Sequence, residues 1–388
     1  MQSILAFSRA SLLTLATLLP IFAYADVYTG TIGRAEVIVE LIQEENKTIS
    51  GQYFYRKYHK DIYLSGQKSR SGELHLIESS SSGENHAEVL LKTTQVGLQG
   101  EWIDHQSKKH YPIALSLLKS APTLTGEAWQ SGWHSNSLYE TLQIDGLKLK
   151  PGKKEKFQGY LIQWWEEPLS KISLFRIIDG LPPPQLSIIN QKLAYAQWES
   201  VHSYMDCSGP VGPNGTLGYF QQTITPELIT PQIISYTTEE YSDCGGAHPN
   251  SYTYGHTIDA TTGQDLQLID LLWLAKGPAN LPVDSKGERI NFDYEDNTLA
   301  PWLIQTLAKL HPHEMLKNTK TEDDCDYNNP EHWAIVGWHA TPTGIVFQPT
   351  FSHVEMTCED PSWSSIPWHI IKQHPGRKPY LLNFTNKK

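Results

Sequence analysis

The residue types and spacing best suited to chemistry occur in Gly245-Gly246-Ala247-His248-Pro249-Asn250. Glycine adopts positive φ without steric cost, and successive N–H groups in such a turn can form a concavity for an anion. His248 has an ordinary pKa near neutrality, so it can bind a ligand or shuttle a proton. The same residues also read as a plain turn locked by an imidazole bonded to backbone. Gly245, Gly246, Ala247, His248 and Asn250 are the candidate ligand-binding residues. No residue is assigned a catalytic role.

Other chemistry finds less footing. The chain contains no Gly-x-Ser-x-Gly elbow, no phosphate-binding Walker loop, no dinucleotide Gly-x-Gly-x-x-Gly and no His-Glu-x-x-His. Sixteen histidines invite a metal reading, with His311 and His313 around Pro312 and His339 and His353 on separate strand candidates. Zinc needs three or four converging ligands, which spacing alone does not supply, so no metal and no cofactor is expected. Asp324 to Asn328 begins like a calcium loop, but Asn329 replaces the required Gly and Ile335 the required Glu. Glu166-Glu167 beside Trp164-Trp165 resembles a carboxylate pair for glycan hydrolysis. Adjacent strand residues point to opposite faces, so the pair reads as a solvated turn.

Four cysteines, Cys207, Cys244, Cys325 and Cys358, form an even set without Cys-x-x-Cys spacing. In an exported chain such a set reads as two disulfides. Three pairings are possible. Cys207 with Cys244 and Cys325 with Cys358 closes the two shortest separate loops and is preferred.

Export is the expectation from the N-terminus. Arg9 precedes an apolar run from Leu12 to Phe22, too short to span a bilayer comfortably, and Ala23-Tyr24-Ala25 has the small-x-small pattern of a cleavage site. Residues 1–25 therefore read as a signal peptide. No later stretch is long and apolar enough for a transmembrane helix, so the expected location is periplasmic or secreted. Triplets of the glycosylation type occur at Asn46, Asn214 and Asn383. With 31 basic against 42 acidic residues, the net charge of −11 argues against a nucleic-acid partner or an anionic membrane surface.

The elements that must position these groups fall into two blocks. Residues 26–147 open with a period-two pattern at Ala35, Val37, Val39 and Leu41, followed by short strand candidates at 49–55, 61–64, 74–78, 87–92 and 98–102. Turn residues separate them, which predicts an antiparallel meander or small barrel filled by its own side chains. Gly51 and Gly100, each followed by aromatics, mark close strand crossings. Residues 148–156, five of them Lys around Pro151-Gly152, read as a solvated linker. Residues 157–388 read as an α+β domain with a mostly antiparallel sheet. Strands are expected at 157–165 and 171–177 and a helix at 185–207. A hairpin of 232–242 with 251–259 follows. Helices are then capped by Asp265 and by Asn297 or Thr298, and a last hairpin pairs 333–340 with 345–348.

A resemblance covers about residues 175–375. The Gly-Gly-Ala-His turn, Asp259-Ala260-Thr261-Thr262-Gly263, Leu268-Ile269-Asp270-Leu271-Leu272, Gly344-Ile345-Val346-Phe347 and Ile366-Pro367-Trp368 occur in that order. The stretch resembles a bacterial extracytoplasmic domain shared by the non-catalytic region of PdaC-type polysaccharide deacetylases and the anti-sigma factor RsiV. The deacetylase catalytic motif is missing, and Phe351 to Cys358 departs from the usual tail of that domain. The resemblance implies a non-enzymatic envelope protein that binds a cell-wall glycan or a protein such as a lysozyme. The competing expectation is a polysaccharide-modifying enzyme with its site between the domains. A cleft holding converging carboxylates or histidines would favour the enzyme, and a broad aromatic surface the binder.

Overall fold

The structure, a computed structural model, describes residues 25–44, 46–79, 85–120, 122–124, 126–135, 137–210, 216–283, 286, 292–315 and 325–384. Residues 1–24 of the expected signal peptide and Asn214 lie outside the described residues.

The N-terminal part closes into an eight-stranded antiparallel barrel: β1 (Ala25–Ile32), β2 (Ala35–Gln43), β3 (Thr48–Tyr55), β4 (Ile62–Lys68), β5 (Leu74–Ser79), β6 (Asn85–Thr93), β7 (Gly97–Asp104) and β8 (Lys109–Leu117). Each strand pairs with its sequence neighbour, and β1 pairs also with β8, Tyr28 opposite Leu117. The alternating set Val37, Val39 and Leu41 points inward, where Tyr53, Leu64, Leu76, Val89, Leu91, Ile113 and Leu115 meet it. The interior is a packed core, as expected for a ring of this size. At one end the buried Glu78 accepts hydrogen bonds from the Tyr53 hydroxyl and the Trp102 indole. At the other end a mouth cavity of about 320 Å³ remains over Tyr28, Leu41, Ile49 and Leu98.

The two marked glycines do sit where strands crowd. A Cβ on Gly51 would lie 2.2 Å from the Glu40 carbonyl oxygen, and one on Gly100 would lie 1.7 Å from that of Leu90. The backbone of the neighbouring strand leaves no room there for a side chain.

Ile38 breaks the polar face of β2 for a reason the barrel alone does not supply. The short helix α1 (Glu127–Gln130) is followed by α2 (Leu138–Ile144), which lays Tyr139 and Leu142 over Val27, Ile38 and Phe54 on the outer wall. Ser137 caps α2 by accepting from the Glu140 N–H.

The expected linker at 148–156 is instead mostly strand. β9 (Lys150–Phe157) pairs with β10 (Tyr160–Glu166), and β10 with β11 (Ser173–Asp179). Gln158 and Gly159, both at positive φ, make the tight turn of the first hairpin. The lysines point to solvent from an edge strand, where they discourage pairing with another chain. Pro151 falls at a register shift, so its missing N–H is tolerated.

Glu167 also departs from expectation. It is 1% exposed, and its carboxylate accepts from the Leu169 and Ser170 N–H groups in the β10–β11 turn. It organises that turn from inside, whereas Glu166 ends β10 and pairs with Lys171.

A Pro182-Pro183-Pro184 run starts α3 (Pro183–Cys207), with prolines in the first turn, where no helical N–H is lost. Ile189 and Leu193 pack on β10, β11 and a three-stranded sheet of β12 (Tyr219–Ile229), β13 (Ile233–Asp243) and β14 (Asn250–Asp259). Trp198, Val201 and Met205 form a second core with Trp133, Ile144 and Phe220. The Gln158 amide joins the two sheets, donating to the Glu227 carbonyl and accepting from the Ile229 N–H.

The remaining elements are shorter than expected. α4 (Leu268–Leu271) is capped by Gln267 with Asp270, not by Asp265. α5 (Ala300–Leu310) continues from a π-turn at Glu295–Leu299, so neither Asn297 nor Thr298 caps it. Pro330–Trp333 is a 3-10 turn, which leaves β15 as Gly337–Ala340, beside β16 (Gly344–Gln348) and β17 (Ser365–Pro367). These pieces and α6 (Trp368–Ile371) share one core around Leu303, Leu307, Trp333, Phe347 and Ile366. The fold is α+β: a barrel, then antiparallel sheets with few helices. Disulfides join Cys207 to Cys244 and Cys325 to Cys358. No helix among the described residues is long and apolar enough to cross a membrane.

Candidate functional site

The Gly245–Asn250 turn stands at the tip of the β13–β14 hairpin. Gly245 has φ +85° and its N–H bonds the Asp243 carboxylate; Gly246 does not take positive φ. His248 is exposed, its Nδ1 lies 3.0 Å from the Pro249 carbonyl, and its ring stacks on His353 at 3.7 Å. The Cys207–Cys244 disulfide ties the turn to the end of α3.

Of the other expected histidines, His353 meets His248, while His311 and His339 make contacts of their own. His339 is buried on β15, where desolvation lowers its pKa to about 4, and His353 lies in the 3-10 segment His353–Cys358. His311 ends α5, with Nε2 3.2 Å from the Ser365 carbonyl. Among the described residues no three His, Cys, Asp or Glu side chains are placed to hold a metal ion.

A cleft of about 320 Å³ opens beside α3, over the sheet face that this helix covers. The strand register determines its floor. Directly opposed residues share a face, so Gln222, Glu240 and Tyr252 line up, as do Ile224, Thr238 and Tyr254, with Tyr236 beside His256. The wall is a helical stripe at Lys192, Tyr195, Ala196, Glu199 and Ser200, and Asp265 closes one side. Lys192 pairs with Asp265 at 2.6 Å.

His256 stacks on Tyr236 with ring centroids 4.5 Å apart, and its Nε2 lies 3.1 Å from Thr238 Oγ1. Burial lowers the His256 pKa and raises those of Glu240 and Tyr236. The cleft therefore shelters a neutral imidazole and a carboxyl drawn toward its protonated form. Beneath it Arg176 is buried and donates to Gln197 Oε1 and to the Phe175 carbonyl; desolvation lowers its pKa to about 10.

Asn250 belongs to the same face of β14 as Tyr252, Tyr254 and His256. The four recur every second residue, roughly 7 Å apart. Tyr252 donates to Asn250 Oδ1 at 3.4 Å, and the Tyr252 and Tyr254 rings stand 5.8 Å apart. One polar and aromatic row thus runs from the Gly245–Asn250 turn to the cleft. His248 itself lies outside the cleft lining.

A larger hollow, about 500 Å³, lies on the barrel wall near Glu73, His75, Leu90, Lys92 and Glu101. Lys92 and Glu73 form an exposed pair there, so the hollow offers ordinary solvated surface. The cleft beside α3 differs in the burial of its ionisable groups.

Sequence reasoning placed a strand through His256 and a helix through Lys192–Ser200 but singled out neither. The cleft draws on residues from 174 to 265, which no local motif connects. Comparison of the chain with protein-family models and with curated proteins finds no match.

Proposed function

We propose that this is an exported envelope protein whose C-terminal domain binds a glycan along the row from Asn250 to His256 and into the cleft. The cleft carries this reading: stacked and exposed aromatic rings lie beside amide, hydroxyl and carboxylate groups. Ring faces suit the apolar faces of sugars, and the polar groups suit their hydroxyls. The two disulfides and the apolar segment before Ala23-Tyr24-Ala25 support an extracytoplasmic location.

Calorimetric titration of the full chain with soluble cell-wall oligosaccharides tests this reading. Binding is expected, and Tyr254→Ala should weaken it threefold to tenfold, roughly the worth of one aromatic contact. Tyr254 is 46% exposed, so the fold should tolerate the change. Absence of binding, or binding indifferent to Tyr254→Ala, overturns the reading. A parallel titration with a lysozyme tests the protein partner implied by the resemblance. Lysozyme binding without oligosaccharide binding would replace the glycan with that partner.

The second reading is a polysaccharide-modifying enzyme with its site in this cleft. The sheltered carboxyl of Glu240 and the neutral His256 favour it, since an acid and a base of opposite shifts can share a proton-transfer task. Turnover of the bound oligosaccharide, lost in His256→Ala, would establish it.

A further inference from the structure

We infer that the ligand of this cleft carries an ammonium group, so that the glycan taken is one with free amino sugars; the second half of this statement rests on the glycan reading above. The charges of the lining do not balance. Lys192 is occupied by Asp265 at 2.6 Å, which leaves Glu199 and Glu240. Among the described residues no basic side chain forms an ion pair with either. Each has only a neutral donor, Tyr195 for Glu199 and Gln222 for Glu240.

The aromatic rings of the same cleft point to the same ligand. Tyr195, Tyr236 and Tyr254 line the cleft together, and a cation is attracted to the face of such rings more strongly where water is scarce. An ammonium has three donors and no acceptor. It matches carboxylates that lack a cationic partner, whereas an acetylated amine carries neither the charge nor the extra donors. The neutral His256 does not compete for the position, because burial opposes its protonation.

The test is calorimetry on the full chain with three probes: glucosamine oligomers, N-acetylglucosamine oligomers of the same length, and hexylammonium. The glucosamine oligomer is expected to bind at least about tenfold more tightly than its acetylated counterpart, the worth of one charged hydrogen bond. Glu240→Gln keeps the shape and should abolish that preference. Glu199→Gln provides a second variant, and melting temperatures establish that both fold. Equal binding of the two oligomers overturns the ammonium inference and leaves the glycan reading standing. Binding of hexylammonium alone, reduced by Glu240→Gln, retains the ammonium and removes the glycan. Binding of none of the three overturns both.

Discussion

Replacing Cys207 and Cys244 together by serine is expected to lower the unfolding free energy of the C-terminal domain by about 4 kcal/mol. The bridge spans a sequence separation of 37 residues, and the loop-entropy relation gives this magnitude for a closed loop of that length. Its position adds a local effect. Cys207 is buried in the core of Trp198, Val201, Met205 and Phe220, so the cross-link holds the last turn of α3 against the β12–β14 sheet. Denaturant unfolding monitored by tryptophan fluorescence checks this, with each single mutant as a control for a stray thiol. A double mutant within 1 kcal/mol of the parent would mean that packing alone seats the helix end. The Gly245–Asn250 turn should loosen as well, visible as faster amide exchange there.

The second large effect is a pH dependence seated where the barrel meets α3. Asp61, between β3 and β4, is 2% exposed and accepts from the Tyr139 hydroxyl at 2.6 Å and the Gln143 amide at 2.7 Å. Its N–H reaches the Met205 carbonyl, and neighbouring Tyr63 donates to Asp206. Desolvation dominates over these donors, and the nearby Asp206 adds to it, so the carboxyl moves from its ordinary 3.8 up to about 7. The folded state thus holds the proton more tightly than the unfolded chain. The contribution to stability is full below pH 4 and is lost as pH rises toward 7. The loss amounts to at most about 4 kcal/mol, from the size of the shift. Asp61→Asn keeps both accepted hydrogen bonds and has nothing to titrate. Its stability should fall less than that of the parent between pH 4 and 7, and the gap between the two curves isolates this group. Parallel curves would show that Asp61 is ionised across the range.

How far the sequence revealed this architecture depended on whether a signal was local. The barrel was legible because inward Val37, Val39 and Leu41 alternate with outward residues, and because Gly51 and Gly100 stand where only glycine fits. α2 was not, since seven residues carry little periodicity and its partners Val27, Ile38 and Phe54 lie far earlier in the chain. β9 was misread because four lysines on an edge strand have the composition of a linker. The hairpin tip was recognisable as a turn from Gly245-Gly246. The cleft was not legible, since His256, Glu240 and Glu199 become neighbours only through register and helix packing.

Closure of the barrel imposes an order of assembly. β1 is the first described strand, yet one of its two partners is the last of the eight, with Tyr28 opposite Leu117 and Ile32 opposite Ile113. The seven neighbour pairings can form as each hairpin appears, but the ring cannot close until β8 is present. Until then β1 and the most recent strand are free edges, with unpaired N–H and C=O groups ready to join another chain. The closing contact also bears the entropy of the longest loop in the domain, so it is expected to limit the folding rate. For a chain threaded through a membrane from its N-terminus, the barrel would wait, open-edged, for residue 117, and a chaperone that shields strand edges would matter most during that interval.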